Sequence, residues 1–227
     1  MSSNKQYRDK WIQAQLMDLP KGSSILDAGA GECQYKHLCE HLHYTAQDFA
    51  QYDGVGDNLG LQTSTWDNTK IDIISDIAEI PVESNSFDSI LCTEVFEHIP
   101  YPDRALKEFY RILTPGGKLI LTAPFASIAH FSPYFFATGF SQYFYRKILA
   151  EIGFNNINIS FNGNYFAYIK QELERLPSIS QKYTNGSISF LDKVFIRLLG
   201  YTLKRLMQRD NGSEELLCFG LHVTAEK

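Results

Sequence analysis

Residues 23–31, SSILDAGAG, run a short apolar stretch into an acid and then into two glycines one residue apart. A stretch this short and apolar, bounded by turn residues, reads as a buried strand. Glycines directly after it let the chain turn tightly and let another molecule touch the main chain. A helix starting just beyond leaves N–H groups exposed as an anchor for a polar ligand. Such a unit belongs to an open α/β sheet, whose ligands sit at the carboxyl ends of strands where the strand order reverses.

The rest of the sequence keeps to that plan. Residues 5–19 place Trp11, Ile12, Leu16 and Leu19 at helical spacing, and Pro20-Lys21-Gly22 breaks the helix. Residues 24–26 predict the first strand, 34–42 a helix, and 43–47 a second strand closed by Asp48. Residues 49–70 are polar and without period, so a long loop is expected. Further strands are predicted at 71–75, 88–95, 118–125, 156–161 and 215–226. Helices are predicted at 102–113, stopped by TPGG, and at 141–153, stopped by Gly153. The stretch 166–209 interrupts the alternation with helical sequence. The alternation implies an α/β fold, mostly parallel, with helices on both faces. No linker or repeat divides the chain, so a single domain over residues 1–227 is expected, with an N-terminal helix inside 1–22 and a helical insertion at 166–209.

Composition removes several function classes. A length of 227 residues with 44% apolar content supports a sizeable core. A net charge of −5 argues against generic polyanion binding, which needs a basic face. The four cysteines are scattered without a C-x-x-C pair, so neither a zinc knuckle nor a disulfide framework is expected. The opening MSSNKQYRDKW has no apolar core of a signal peptide, and no run reaches the ~18 apolar residues of a membrane span. A cytoplasmic location without a transmembrane segment is the expectation.

The glycine turn alone is a loose signal, because position 34 is Gln and the third glycine of a dinucleotide loop is missing. Asp48 adds to it. It closes the second strand about twenty residues on, where a carboxylate can take both ribose hydroxyls, or can simply cap a turn. Two further stretches complete a set: SDIAEIPVESNSFDSILCTEVFEHI at 75–99 and RILTPGGKLILTAPF at 111–125. Over residues 23–125 the chain resembles the class I S-adenosylmethionine-dependent methyltransferases, and most closely their small-molecule "type 11" group.

That resemblance implies a Rossmann-like seven-stranded sheet with an antiparallel last strand and the helical insertion between strands six and seven. It implies S-adenosyl-L-methionine as cofactor and S-adenosyl-L-homocysteine as product. By motif, Asp27, Ala28, Gly29 and Gly31 would hold the methionine part and Asp48 the ribose. Asp76 and Ile77 would face the adenine, and Thr93 and Glu94 would line the cofactor.

Methyl transfer from a sulfonium needs alignment above all, and a hydroxyl acceptor also needs a base. His130, then His98, are the candidate catalytic residues, since both segments open onto one sheet edge. Each histidine has a plainer role as a cap or packing residue. No metal is assigned. The alternative stays open, because E-x-x-E-H resembles metal-binding methyltransferases such as ubiquinone-pathway and small-RNA O-methyltransferases. Glu94, Glu97, His98 and His130 would then be the ligands.

The aromatic-rich stretch 125–145 predicts a lid or substrate wall. Phe140 and Phe144 are expected in a buried helix stripe, with Tyr134 and Phe135 toward substrate. Tyr7, Arg8 and Trp11 on the first helix are placed to close over the cofactor. Residues 190–208 are expected to dock as an amphipathic helix with a solvated basic face, contact with a membrane or a lipid-linked acceptor being the other reading.

The expected partner is a small-molecule acceptor methylated on a hydroxyl or amine. Resemblance of HFSPYFF through FNGNYF to enzymes of bacterial glycan assembly points to a carbohydrate. DNA is not expected, since the N-P-P-Y signature is absent where CTEV stands. A non-catalytic cofactor-binding module and an NAD-dependent oxidoreductase remain the competing classes.

Overall fold

The computed structural model describes residues 3–186 and 188–227. Seven strands form one sheet: β1 Ser24–Ala28, β2 His43–Asp48, β3 Ile73–Ile74, β4 Phe87–Thr93, β5 Leu113–Pro124, β6 Asn155–Asn162 and β7 Gly220–Glu226. Their order is β3-β2-β1-β4-β5-β7-β6. The pairs from β3 through β5 are parallel, and β7 runs antiparallel to β5. This is the expected Rossmann-like methyltransferase topology. Chain order reverses between β1 and β4, which puts a crevice at their carboxyl ends.

The helices are α1 Ser3–Met17, α2 Pro102–Ile112, α3 Gln142–Ile152, α4 Tyr165–Tyr183 and α5 Phe190–Met207. By its contacts the chain divides into two compact units, Arg8–Ser160 with Gly220–Lys227, and Met1–Tyr7 with Phe161–Phe219. In the larger unit, Ile12, Leu16 and Leu19 meet Ile25, Leu91 and Ile120 in a dry cluster. Helix α2 starts with proline at its first turn and buries Ala105, Leu106, Phe109 and Ile112, the spacing of a single helical face.

Three elements depart from expectation. Residues 34–42 do not make a helix; only a 3-10 turn forms at Lys36–Leu38. Nine residues give too few turns to repay nucleation, and the chain must return at once to β2, where Gly22 N–H bonds the carbonyl of His41. Strand β3 shrinks to two residues because the Asp72 carboxylate, not a backbone carbonyl, takes the N–H of Ala46 at 2.8 Å. TPGG ends α2 and is itself drawn into β5. Gly116, at φ +80, donates to the carbonyl of Lys227, and Lys227 N–H returns to Gly117.

In the smaller unit α4 and α5 pack on each other. Asn164 caps α4 by accepting from Ala167 N–H, and Ser189 with Asp192 forms a capping box on α5. These helices occupy the stretch expected as an insertion. The docking expected of 190–208 does not occur in the form expected: Phe190, Leu191 and Phe195 are exposed, and only Leu203 of α5 is buried. Among the described residues no helix is long and apolar enough to cross a membrane.

Candidate functional site

A cavity of about 750 Å³ opens at the carboxyl ends of β1, β2 and β4, lined by the glycine turn that follows β1 and by the ends of β2 and β4. Gly29 and Gly31 line it with φ of +73° and +52°, a region that side chains avoid. The turn is held from behind. Gly29 and Ala30 N–H donate to the carbonyl of Gln47, and Gly31 N–H donates to Asp48 Oδ2 at 3.0 Å. A Cβ on Gly29 would stand 2.5 Å from Val95 Cγ2, and one on Gly31 2.7 Å from Trp66 Cζ2.

Asp48 thus has a structural duty: its other oxygen, Oδ1, accepts from Ala50 N–H at 2.8 Å. It also lines the cavity. Each carboxylate oxygen has two lone pairs, so capping leaves acceptor capacity toward the cavity. Asp76 and Ile77 lie in the wall, with Asp76 Oδ1 fixed by Ala78 N–H at 2.8 Å. Thr93 and Glu94 lie there too.

Asp27 and Ala28 sit one layer back, outside the lining. Asp27 is buried and accepts a 2.6 Å hydrogen bond from the Tyr44 hydroxyl. Burial pushes its carboxyl up to about 7; the Tyr44 bond pulls down against this, and the Asp48 charge adds to the rise. Asp27 is thus tied to β2 through Tyr44.

Glu94 sits just past β4 with φ +54, a strained angle for a side-chain-bearing residue. Both carboxylate oxygens are engaged: Oε1 accepts from Thr122 Oγ1 at 2.9 Å, and Oε2 meets Arg8 Nη1 at 2.6 Å. Arg8 itself lines the cavity. Burial disfavours its charge, yet Glu94 opposite, together with Tyr35 and Asp9, more than offsets this and raises its pKa. Of the three α1 residues expected to close over the cofactor, Arg8 lines the cavity. Trp11 stacks on His222 at 4.6 Å instead, and Tyr7 is exposed.

Beyond Glu94, a 3-10 turn at Phe96–His98 brings Glu97 and His98 to His130 of the loop after β5. Glu97 Oε1 lies 3.6 Å from His98 Nε2 and 3.7 Å from His130 Nε2. His98 Nδ1 is 2.6 Å from the Tyr134 carbonyl, and His130 Nδ1 is 2.9 Å from that of Ile128. Those carbonyls need N–H donors, so the neutral His98 ring keeps its lone pair on Nε2, toward Glu97. Burial, then the neighbouring His130, pulls His98 down to about 4 and keeps it neutral. Burial and the Glu94 charge push Glu97 up. Glu97 Oε2 and His98 Nε2 find no hydrogen-bond partner among the described residues. One carboxylate and two imidazoles within 4.8 Å of one another could hold a divalent cation. Glu94, the fourth ligand the sequence suggests, is turned instead to Arg8 and Thr122.

His98 lines the cavity; His130 stands behind it, in contact with the His98 ring at 4.6 Å. The loops 49–70 and 125–140 meet over this end through an aromatic cluster. Phe131 stacks on Tyr52 at 4.6 Å and on His98 at 5.1 Å, and Trp66 meets both Tyr52 and Phe131. Tyr134 faces the cavity as expected, while Phe135 packs against the two histidines. Tyr145, not Phe144, is the buried ring of α3. Sequence reasoning missed Gln47 and Trp66. The first follows from its place just before Asp48; the second lay in a loop with no pattern to single it out.

The family model described as a methyltransferase domain matches residues 26–121. A ubiquinone biosynthesis O-methyltransferase from Xanthomonas oryzae pv. oryzae is 32% identical over 104 residues, 44% of this chain and 43% of that protein. The match thus spans less than half the length of that relative. One of the same description from Coxiella burnetii is 26% identical over 228 residues, 93% of this chain and 82% of the relative. Among solved structures, Haemonchus contortus phosphoethanolamine N-methyltransferase 2 in complex with S-adenosyl-L-methionine superposes with a TM-score of 0.54. It is 17% identical and covers 97% of this chain and 52% of that one. At that identity the likeness is one of fold.

Proposed function

We propose, from the premise that this chain carries a class I S-adenosylmethionine-dependent methyltransferase domain, that it methylates a hydroxyl of a small molecule held in the β1–β2–β4 cavity. The observation that carries the reading is the position of His98. It lies in the cavity wall, next to Glu97 and His130, with a bare lone pair on Nε2. An amine in its neutral form already holds a nucleophilic lone pair and has less need of such a group; a hydroxyl must lose a proton.

Bound S-adenosylmethionine supplies a methyl carbon already activated on a sulfonium. The chain's own residues do the rest. Gly29 and Gly31 leave room for the methionine part, with Asp27 and Ala28 beneath. Asp48 directs spare acceptor capacity at the ribose. Asp76 and Ile77 flank the adenine, and Thr93 and Glu94 close the side below Arg8. His98, backed by His130, takes the acceptor proton.

A second reading rests on the low basicity of His98. An imidazole held near 4 keeps a proton poorly, yet offers its lone pair well to a cation. A divalent ion on Glu97, His98 and His130 would supply Lewis acidity toward the hydroxyl. The unpartnered Glu97 Oε2 and His98 Nε2 fit such a ligand set.

The aromatic wall of Tyr52, Trp66 and Phe131 suits a flat ring, so a phenolic acceptor like that named for the ubiquinone-pathway relatives is the first class to try. A sugar hydroxyl, the acceptor suggested by the sequence, comes second, since aromatic faces also take the apolar face of a pyranose. The reading further takes residues 1–227 as one working domain, cytoplasmic in location.

Titration calorimetry with S-adenosylhomocysteine and with NAD, followed by product detection with a panel of phenols and sugars, tests the proposal. Binding of NAD alone would overturn it. Binding without any methylated product, and indifference to His98→Ala, would leave only a cofactor-binding module. Loss of turnover on chelation, restored by Mg²⁺ or Mn²⁺ and matched by calorimetric binding of the ion, favours the cation; full turnover after chelation removes it.

A further inference from the structure

The apolar surface of α5 is turned outward. Phe190, Val194 and Leu198 form one row and Leu191, Phe195 and Leu199 the row beside it, each with the four-residue step of a helix face. Phe190 is 79% and Phe195 67% exposed, values at which two phenylalanines leave most of their hydrophobic gain unused. The other side of the helix carries Ile196, Leu203 and Met207, of which Leu203 is buried within its unit. A contiguous apolar face of this extent marks a contact surface.

Charge selects the occupant. Lys193, Arg197 and Lys204 follow one edge of α5 at steps of four and seven residues, bordering the apolar rows, with Arg205 near the end. The single acid, Asp192, is tied to Ser189 in the cap at the helix start. This cationic edge stands in a chain of net charge −5, so it is a local feature. Long basic side chains beside an apolar face can keep their heads in a polar layer while their stems lie on hydrocarbon. A second copy meeting this face isologously would bring a like cationic edge against it. No described helix is suited to cross a bilayer, so α5 would lie in the plane of the interface.

We infer that the exposed apolar face of α5, with its Lys193–Arg197–Lys204 edge, docks this protein on an anionic lipid surface. The docked helix immerses its phenylalanines and leucines at the acyl boundary and sets its cations among acidic headgroups. Peripheral, salt-sensitive association follows.

The test is sedimentation of the full chain with vesicles of phosphatidylcholine plus phosphatidylglycerol, against phosphatidylcholine alone. Association with the mixed vesicles, weakened by added salt, is expected. Phe190→Ser with Phe195→Ser should lower partitioning about tenfold or more, and Lys193→Glu with Arg197→Glu should lower it comparably on the anionic vesicles only. All four side chains are exposed, so both variants should keep the wild-type thermal midpoint; the charge variant serves if the serine variant does not. Failure of the folded chain to bind anionic vesicles overturns the inference. So does binding indifferent to both variants, or a dimer in sedimentation equilibrium that the serine variant dissolves.

Discussion

Arg8 Nη1 and Glu94 Oε2 stand 2.6 Å apart, joining the N-terminal helix to the strained residue just past β4. Both side chains are largely shielded from water, so each charge depends on the other. Replacing Arg8 with Ala leaves the Glu94 charge without its cationic partner, with Thr122 still donating to it. Denaturant unfolding of Arg8→Ala should show a loss of roughly 1–3 kcal/mol. Adding Glu94→Gln should recover part of that loss. Strict additivity of the two changes would show that the pair is not coupled.

Asp48 serves two masters, and its variants separate them. Its oxygens hold Gly31 and Ala50 N–H groups, and it also faces the cavity. If it contacts the ribose, Asp48→Ala weakens S-adenosylhomocysteine binding at least tenfold, about 1.4 kcal/mol. Asp48→Asn keeps one acceptor oxygen and should retain more stability than Ala while still losing affinity. Unchanged affinity in titration calorimetry for either variant would reduce Asp48 to a turn residue.

The fold was legible because β1, β4 and β5 are apolar runs bounded by polar or turn residues, and α2 repeats its buried positions with a clean helical period. Legibility failed where tertiary bonds replaced local ones. Residues 34–42 have helical spacing, yet Gly22 and His41 draw them back before a second turn can form. Asp72 substitutes for a strand partner, which no pattern of hydrophobicity reveals. At the site, motif spacing picked out the wall residues Gly29, Gly31, Asp48, Asp76, Ile77, Thr93 and Glu94. It could not distinguish them from Asp27 and Ala28, because strand alternation does not say which residue the turn lifts into the crevice. Nor could it see that Glu94 faces Arg8 while Glu97 faces two histidines. That depends on the φ of +54 at Glu94, which redirects the chain after β4.

Asp27 should leave a mark on the pH dependence of stability. Its carboxyl rises from 3.8 to about 7 on folding, chiefly through burial. Between those values the folded state holds a proton that the unfolded chain has released, so this group's contribution fades as pH rises from about 4 to about 7. His98 and His222, both pulled down to about 4 by burial, act with the opposite sign over about 4 to 6.5. Comparing wild type with Asp27→Asn cancels the histidine effects. The variant should gain on the wild type by about 1 kcal/mol or more between pH 4 and 8. A difference that stays flat across that range in urea titrations would contradict the burial of a protonated Asp27.

Gly29 offers a test of the turn that does not depend on any ligand charge. A Cβ there would meet Val95 Cγ2 at 2.5 Å and Cγ1 at 2.8 Å, and φ is +73°. Gly29→Ala therefore faces two costs, a clash and a left-handed backbone, of about 1–2 kcal/mol for the backbone alone. Val95→Ala removes the obstructing methyls but leaves the backbone angle. The single variant should lose both stability and cofactor affinity, since relieving the clash by moving the turn shifts its N–H groups away from Gln47 and Asp48. In the double variant affinity should return toward wild type while roughly the backbone part of the instability persists. Equal loss of affinity in the single and double variants, measured by calorimetry with S-adenosylhomocysteine, would mean that the glycine is needed for its angle and not for the space beside Val95.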